Sequence, residues 1–254
     1  MDQRDLQHDL DQLAEWEKTW DMKFHPEKCA TLRTTRKRKP REQEYTLNGH
    51  KLQTVNTAKY LGVTLQSKMD WEDHINNICT KANRMLGFLR RNLKISSPNI
   101  KEKAYKAFVR PLLEYAVSVW DPYEMKLIEK LESTQNRAAR FVLNKYHRTT
   151  SVTSLLDTLQ WTSLETRRRR SRLGMLYKII NGQVFCSNIK SQLKTSHVRG
   201  RRGHCQQFLP LTTTTQYRNK SFLPRTVAEW NSLPQEIVSA STLDSFLSRV
   251  SKLQ

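Results

Sequence analysis

No two aspartates are adjacent anywhere in the 254 residues, and cysteine (4), glycine (7) and proline (8) are all scarce. No uncharged apolar run reaches the roughly 18 residues that a membrane-spanning helix needs. The first residues, Met1-Asp2-Gln3-Arg4-Asp5, are polar and acidic where a secretory leader is basic and then apolar. A nuclear or cytoplasmic protein, not a secreted one, is therefore expected. Cys29, Cys79, Cys186 and Cys205 stand far apart with no C-x2-C pair, which suggests neither a zinc site nor a disulfide framework. His204-Cys205 with the distant His197 fits no metal-ligand spacing. So little glycine and proline argues against a many-turned all-β fold. Catalytic signatures are missing as well: there is no G-x-S-x-G, no Walker-type glycine loop and no H-E-x-x-H. A two-metal polymerase or nuclease holds its ions about 3.5–4 Å apart on clustered carboxylates. Asp9 and Asp11, two apart on a predicted helix, lie on different faces and cannot serve.

Positive charge is what the chain has in excess. Lys and Arg number 44 against 24 Asp and Glu, a net +20. The balance is uneven, because residues 1–27 hold eight acids and three bases, which leaves +25 on the rest. A field spread over so much of a chain favours a polyanionic partner, and nucleic acid fits better than a membrane surface. A membrane binder concentrates its charge on one amphipathic helix with bulky apolar residues opposite.

Periodicity divides the chain. Leu6, Leu10, Leu13, Trp16 and Trp20 form one helical stripe that Pro26 stops. A β-like stretch over 29–35 leads into Arg36-Lys37-Arg38-Lys39-Pro40-Arg41, which reads as a solvated hairpin tip or, less well, as a nuclear-localisation patch. Tyr45 to Leu52 is a hairpin, with Asn48-Gly49 supplying the two positive-φ residues of a type I′ turn. Ala58 to Leu65 reads as a strand with Gly62 marking a bulge or a close backbone approach. One helix and so few strands leave a sheet face uncovered.

From Trp71 the period becomes 3.6. Ile75, Ile78, Ala82, Met85 and Leu89 share a face, and Ser96-Ser97-Pro98-Asn99 starts a second helix. That helix carries Ile100, Ala104, Ala107 and Phe108, breaks near Pro111, and resumes through Leu112, Tyr115 and Val119. A third helix runs from Leu127 to Val142, so residues 71–146 form a three-helix unit. Short helices over 152–159 and 164–181 follow. Residues 183–220, with Arg199-Gly200-Arg201-Arg202-Gly203, read as a poorly ordered linker, and 221–254 as a small helical tail.

The candidate functional residues bind rather than react. Arg90, Arg91 and Lys94 cluster at a helix end, a common place for phosphate contacts. Arg167, Arg168, Arg169 and Arg170 occupy all sides of one helical turn, so some face solvent or a partner; phosphate binding is favoured over a plain solvated face. Tyr60, Trp120, Trp161 and Trp230 lie in apolar contexts that suit a core better than base stacking.

The order of segments resembles the end of the polymerase in jockey-like non-long-terminal-repeat retrotransposon reverse transcriptases. In that family an acidic amphipathic helix with L-x-x-W follows the metal-binding F/Y-A-D-D box, then come N-P-x-K-[CT] and K-Y-L-G-V. Leu13-Ala14-Glu15-Trp16, Pro26-Glu27-Lys28-Cys29 and Lys59-Tyr60-Leu61-Gly62-Val63 match in order and spacing. His25 stands where the family has Asn. The likeness continues through Leu86 to Leu93, Val109-Arg110-Pro111-Leu112-Leu113-Glu114-Tyr115 and Trp120-Asp121-Pro122, and reaches Phe222 to Pro234.

The resemblance implies an α+β, mainly α-helical chain. It would comprise a partial palm with a primer-grip hairpin (1–66), a helical thumb (67–150), a basic helical segment (151–182), the linker (183–220) and the helical tail (221–254). Lys59, Tyr60, Leu61, Gly62 and Val63 would be the primer grip, and Lys28 would lie near the incoming nucleotide's phosphates. Backbone contacts to an RNA–DNA duplex or RNA would come from Arg90, Arg91, Lys94, Arg110, Arg167, Arg168, Arg169 and Arg170, without sequence preference. The parent enzyme uses Mg2+ held by aspartates. Those, with the fingers and endonuclease, would lie upstream of Met1, so no catalytic residue, metal or other cofactor and no small-molecule substrate is expected of this piece. It reads either as a truncated reverse transcriptase or as a co-opted RNA- or DNA-binding scaffold module.

Overall fold

The computed structural model describes residues 3–39, 43–196 and 203–253. Part of the basic run at 36–41 (Pro40, Arg41) and the arginines at 199, 201 and 202 lie outside them. The described chain is mainly helical with a few short strands, an α+β fold as the patterning predicts. It forms two compact units, Met1–Asn77 and Ile78–Gln254. The division falls inside the helix Glu72–Asn92, whereas the patterning places a boundary near residue 66.

In the first unit, α1 (Gln3–Trp20) carries the predicted stripe, but only part of it is covered. Leu6, Leu10 and Ala14 pack with Phe24 and Cys29 against buried Tyr45, Leu47 and Leu52. Trp16 and Trp20, further along the stripe, are 41% and 65% exposed. Strands β1 (Ala30–Leu32), β2 (Thr46–Leu47), β3 (His50–Lys51) and β4 (Gln53–Val55) follow. The side chain of Gln7 binds the edge of β2, accepting from Thr46 N at 3.1 Å and donating to its carbonyl at 3.0 Å. Asn48 and Gly49 adopt φ 51° and 78°, and β2 and β3 pair antiparallel around them as that dipeptide predicts. Strand β1 pairs with β4 in parallel, so the basic run between them is not the tip of an antiparallel hairpin.

Strands β5 (Thr57–Tyr60) and β6 (Val63–Gln66) correct the reading of Gly62 as a bulge. They pair antiparallel from Thr57↔Gln66 to Tyr60↔Val63. Leu61 and Gly62, at φ 45° and 86°, form the two-residue turn. A glycine in a strand and a glycine at a hairpin tip look alike locally, and only the pairing partner tells them apart. Because a side chain at positive φ costs roughly 1–2 kcal/mol, Gly62→Val should lower the urea midpoint of the full chain without changing the slope. An unchanged midpoint would count against strain at this turn.

The second unit is built on helix packing. Helix α2 (Glu72–Asn92) runs into it, with Ile78, Cys79, Ala82, Leu86 and Leu89 buried. Helix α3 (Pro98–Ala104) passes into a wide π-type turn over Tyr105–Val109, and then into α4 (Arg110–Glu114). Pro111 has no N–H to give a preceding carbonyl, and the widened turn accommodates that loss. The buried stripe here is Lys101, Tyr105, Val109 and Leu113, not the predicted Ile100, Ala107 and Phe108. Ile100 and Phe108 are 52% and 56% exposed. A lysine at the head of an otherwise apolar four-residue repeat conceals the true face. Ala116 at φ 54° breaks the path before α5 (Val117–Trp120), whose Trp120 is fully buried and donates to the Tyr115 carbonyl at 2.7 Å.

Helix α6 (Met125–Leu143) buries a broad apolar face and ends at Asn144, φ 55°. Helices α7 (Val152–Leu159) and α8 (Leu164–Ile180) follow within a residue of their predicted bounds. The N-terminus of α8 is held by Ser163, which accepts from Thr166 N, and by Glu132, which accepts from Leu164 N at 3.2 Å and Glu165 N at 2.8 Å. Trp161 stacks on Tyr105 at 4.4 Å between ring centroids.

Short helices α9 (Ser187–Lys190) and α10 (Gln216–Asn219) precede α11 (Phe222–Asn231), α12 (Gln235–Val238) and α13 (Leu243–Val250). These close over α8 around Trp230, Phe246, Leu173 and Tyr177, all at most 2% exposed. The stretch read as a linker contributes here, in its described residues. Phe208 belongs to this core, with Ile189, Leu193 and Leu211 packed against it. Thr195 forms a β-bridge with Phe208. No helix among the described residues is long and apolar enough to cross a membrane.

Candidate nucleic-acid interface

The last turn of α2 carries Arg90 and Arg91, and Lys94 follows it. All three are exposed and line one open cleft of about 740 Å³ together with Lys101, Asn144 and Tyr146. Among the described residues, no carboxylate lines this cleft. Their positions follow from packing, since the buried stripe of α2 sets its rotation and so points its terminal cations outward. The end of α6 supplies the facing residues because Asn144 takes the left-handed conformation that stops that helix.

Two details hold the cations in place. The Arg90 guanidinium lies 4.5 Å over the Tyr146 ring, a cation–π contact that orients it. Lys101 is 1% exposed, and its Nζ donates to Asn144 Oδ1 at 2.8 Å and to the Lys94 carbonyl at 3.4 Å. It also sits 5.5 Å from the Phe141 ring. All three of these partners are neutral groups, and together they fix the position of the Nζ behind the cleft wall. Sequence reading grouped Arg90, Arg91 and Lys94; Lys101, Asn144 and Tyr146 join them only through the tertiary fold.

The arginine run on α8 is different. Arg168 and Arg172 are each 1% exposed and belong to the core. Arg168 Nε donates to Asp121 at 2.8 Å, and Arg172 Nη2 donates to Glu229 at 2.8 Å. Arg172 Nε lies 2.9 Å from the second Asp121 oxygen, close enough for ion pairing but without hydrogen-bond geometry. Arg225 joins Asp121 at 3.2 Å, and Arg169 reaches Glu229 at 3.4 Å. Burial, together with the nearby Arg172 charge, pulls the Arg225 pKa below its ordinary value. Arg167 is bound by Glu114, whose hydrogen bond raises its pKa; Arg110 lies 3.7 Å from the same carboxylate. Arg168 therefore faces a buried carboxylate and presents nothing to a phosphate at the surface. Arg167, Arg169 and Arg110 are spent on ion pairs, and of the run only Arg170 has no acidic partner among the described residues.

In the first unit, Lys59 and Tyr60 end β5, Leu61 and Gly62 make the turn, and Val63 begins β6. Tyr60 and Leu61 are 66% and 73% exposed, while Val63 is buried. The hairpin thus displays an apolar tip, and Tyr60 is not a core residue as its context suggested. Lys28 is exposed on a single 3-10 turn, Pro26–Lys28.

Known proteins give this arrangement a context. A 139-residue stretch, 53% of the chain, is 30% identical to an RNA-directed DNA polymerase from the mobile element jockey of Drosophila melanogaster, and covers 15% of that protein. Similarly, 146 residues, 55% of the chain, are 29% identical to a probable RNA-directed DNA polymerase from transposon BS of the same fly, 16% of its length. An uncharacterised Caenorhabditis elegans protein is 25% identical over 142 residues, 71% of its own length. No family model and no solved structure matches. The chain carries a region related to reverse transcriptases. Its relatives are those of non-long-terminal-repeat retrotransposons such as jockey, BS and the X-element, and it matches about one-sixth of the length of the first two.

Proposed function

We propose that this chain is the holding part of a retrotransposon reverse transcriptase. It grips the sugar–phosphate backbone of an RNA–DNA duplex, or of RNA, without sequence preference, and does not itself extend a primer. The observation that carries this reading is the cleft of three exposed cations, Arg90, Arg91 and Lys94, with Lys101 buried behind them and no carboxylate in the lining among the described residues. Such a surface attracts phosphate whatever the base sequence. The relationship to RNA-directed DNA polymerases supports the same substrate class. The proposal that it does not extend rests on the sequence, which contains no adjacent aspartates to hold the two metal ions of that chemistry. No metal or other cofactor is needed for holding. On the same reading, the Lys59–Val63 hairpin meets the primer end with its exposed Tyr60 and Leu61, and Lys28 lies near the incoming nucleotide's phosphates.

The test has two arms. The purified chain, given primer–template, magnesium and deoxynucleoside triphosphates, is expected to leave the primer unextended; templated incorporation refutes that half. Its affinity for an RNA–DNA duplex is expected to fall linearly with the logarithm of salt concentration, because each neutralised phosphate releases counterions. A salt-independent affinity refutes the grip.

A second reading, a co-opted nucleic-acid-binding scaffold, is favoured by one observation. The unit Ile78–Gln254 has a core of its own, with Trp120 and Trp230 fully buried. Cooperative melting of the chain as a soluble monomer supports the scaffold, and aggregation of the chain on its own supports a holding part that lacks its neighbours.

A further inference from the structure

We infer that α8 carries a second backbone-holding cleft, fitted to single-stranded nucleic acid, whose working cations are Arg170 and Lys178. It rests on the reading of the chain as a nucleic-acid holder, but uses residues outside the first cleft.

Helices α5, α8 and α13 enclose a cleft of about 450 Å³. Arg170, Ser171 and Lys178 line it from α8, Ser118 from α5, and Leu243 and Leu247 from α13. Positions 167, 170, 171, 174 and 178 fall on one helix face. The two cations, eight residues apart, are separated by about 12 Å along the helix axis. They line it from above and below Gly174, where an added Cβ would come within 3.0 Å of Leu247. The absent side chain lets α13 approach and form the apolar wall.

Charge decides what the cleft attracts. Its one carboxylate among the described residues, Glu114, is held by Arg167 through a 3.0 Å bond from Nη2, besides a shorter one from Nε. Arg170 and Lys178 have no carboxylate partner among the described residues. Behind them a network, buried except for Arg169, sets four guanidiniums (Arg168, Arg169, Arg172 and Arg225) against two carboxylates, Asp121 and Glu229. Arg168 Nη1 and Nη2 have no hydrogen-bond partner among the described residues, so its charge is only partly offset. A low-dielectric wall carrying net positive charge focuses the field into the cleft. Ser118 and Ser171 add neutral donors. No aromatic residue among the described ones lines it, in contrast to the first cleft with Tyr146. It is therefore built to hold a backbone and not to stack a base. At about 450 Å³ against 740 Å³ it is the smaller of the two clefts, which suits one strand better than a duplex.

The test uses the full chain, a short fluorescent uridine oligomer and an RNA–DNA duplex, each titrated at several salt concentrations. Arg170→Ala/Lys178→Ala is compared with Lys190→Ala/Lys194→Ala, which removes the same charge from exposed positions elsewhere. For the oligomer, the first variant is expected to make the log–log salt slope shallower by about 1.4, or ~0.7 for each single-strand phosphate that is no longer neutralised. Duplex binding is expected to change no more than in the control. Arg170→Gln/Lys178→Gln, which keeps most of the side-chain bulk, is expected to reproduce the loss, which separates charge from folding damage. If wild type binds the oligomer and both cleft variants keep its slope, the second cleft is refuted while the proposed function stands. If wild type binds neither nucleic acid, both fall.

Discussion

Asp121→Ala is expected to destabilise the chain by roughly 3–5 kcal/mol, the cost of breaking a buried ion pair by removing one partner. The aspartate side chain is 5% exposed, and it faces Arg168 and Arg172, each 1% exposed, and Arg225. Without it, Glu229 alone remains to balance Arg168, Arg172 and Arg225, with the more exposed Arg169 at the edge. A domain commonly has only about 5–15 kcal/mol in hand, so the variant should be largely unfolded well below the wild-type urea midpoint. Asp121→Asn keeps the shape and removes the charge; it should retain most of the loss if electrostatics dominates. Arg169→Ala is the contrast, because that side chain is 37% exposed and its pairing to Glu229 at 3.4 Å is partly screened. Exposed pairs contribute about 0–1 kcal/mol. Urea titration followed by tryptophan fluorescence gives all three values. A loss below about 1 kcal/mol for Asp121→Ala would show that water reaches the network and relieves it.

That network also marks where the sequence stops being legible. Helices α7 and α8 are legible as ranges from residue spacing alone, and in the structure a serine, Ser151 or Ser163, caps each of them. The Asn48-Gly49 turn is legible through its need for positive φ. Nothing local says that Arg168 and Arg172 point inward. Their partners, Asp121 and Glu229, lie 47 and 57 residues away in sequence, and only that pairing makes a buried guanidinium tolerable. The same holds for Lys101, which a pattern reading assigns to solvent and the fold buries against Asn144, 43 residues on. Of the expected backbone-binding arginines, those at a helix end with no acid nearby face a cleft. Those in the dense run are mostly consumed by internal carboxylates. Charge density in sequence overstates charge available to a partner, because acids from distant segments fold back onto it.

Arg90→Ala/Arg91→Ala/Lys94→Ala is accordingly expected to have the largest effect on duplex binding of any charge removal of equal size. The three side chains are exposed, share one cleft and have no carboxylate partner among the described residues, so their whole charge is offered to phosphate. Each duplex phosphate that is no longer neutralised should make the log–log salt slope shallower by about 0.9, giving roughly 2.7 for the three. Affinity at low salt should fall at least tenfold, since one charge-assisted hydrogen bond alone is worth about 1.5–3 kcal/mol. The loss should be uniform across duplex sequences, because interactions of this kind read no base. Stability should change little, the cations lying at the surface beyond the last buried turn of α2; Leu89 beneath them stays buried. Tyr146→Ala separates orientation from charge. It leaves the salt slope nearly intact but frees the Arg90 guanidinium that lies 4.5 Å over its ring, so affinity should drop by the 0.5–1 kcal/mol typical of an exposed cation–π contact, about two- to fivefold. A triple variant that binds duplex like wild type, with an unchanged slope, would move the grip away from this cleft.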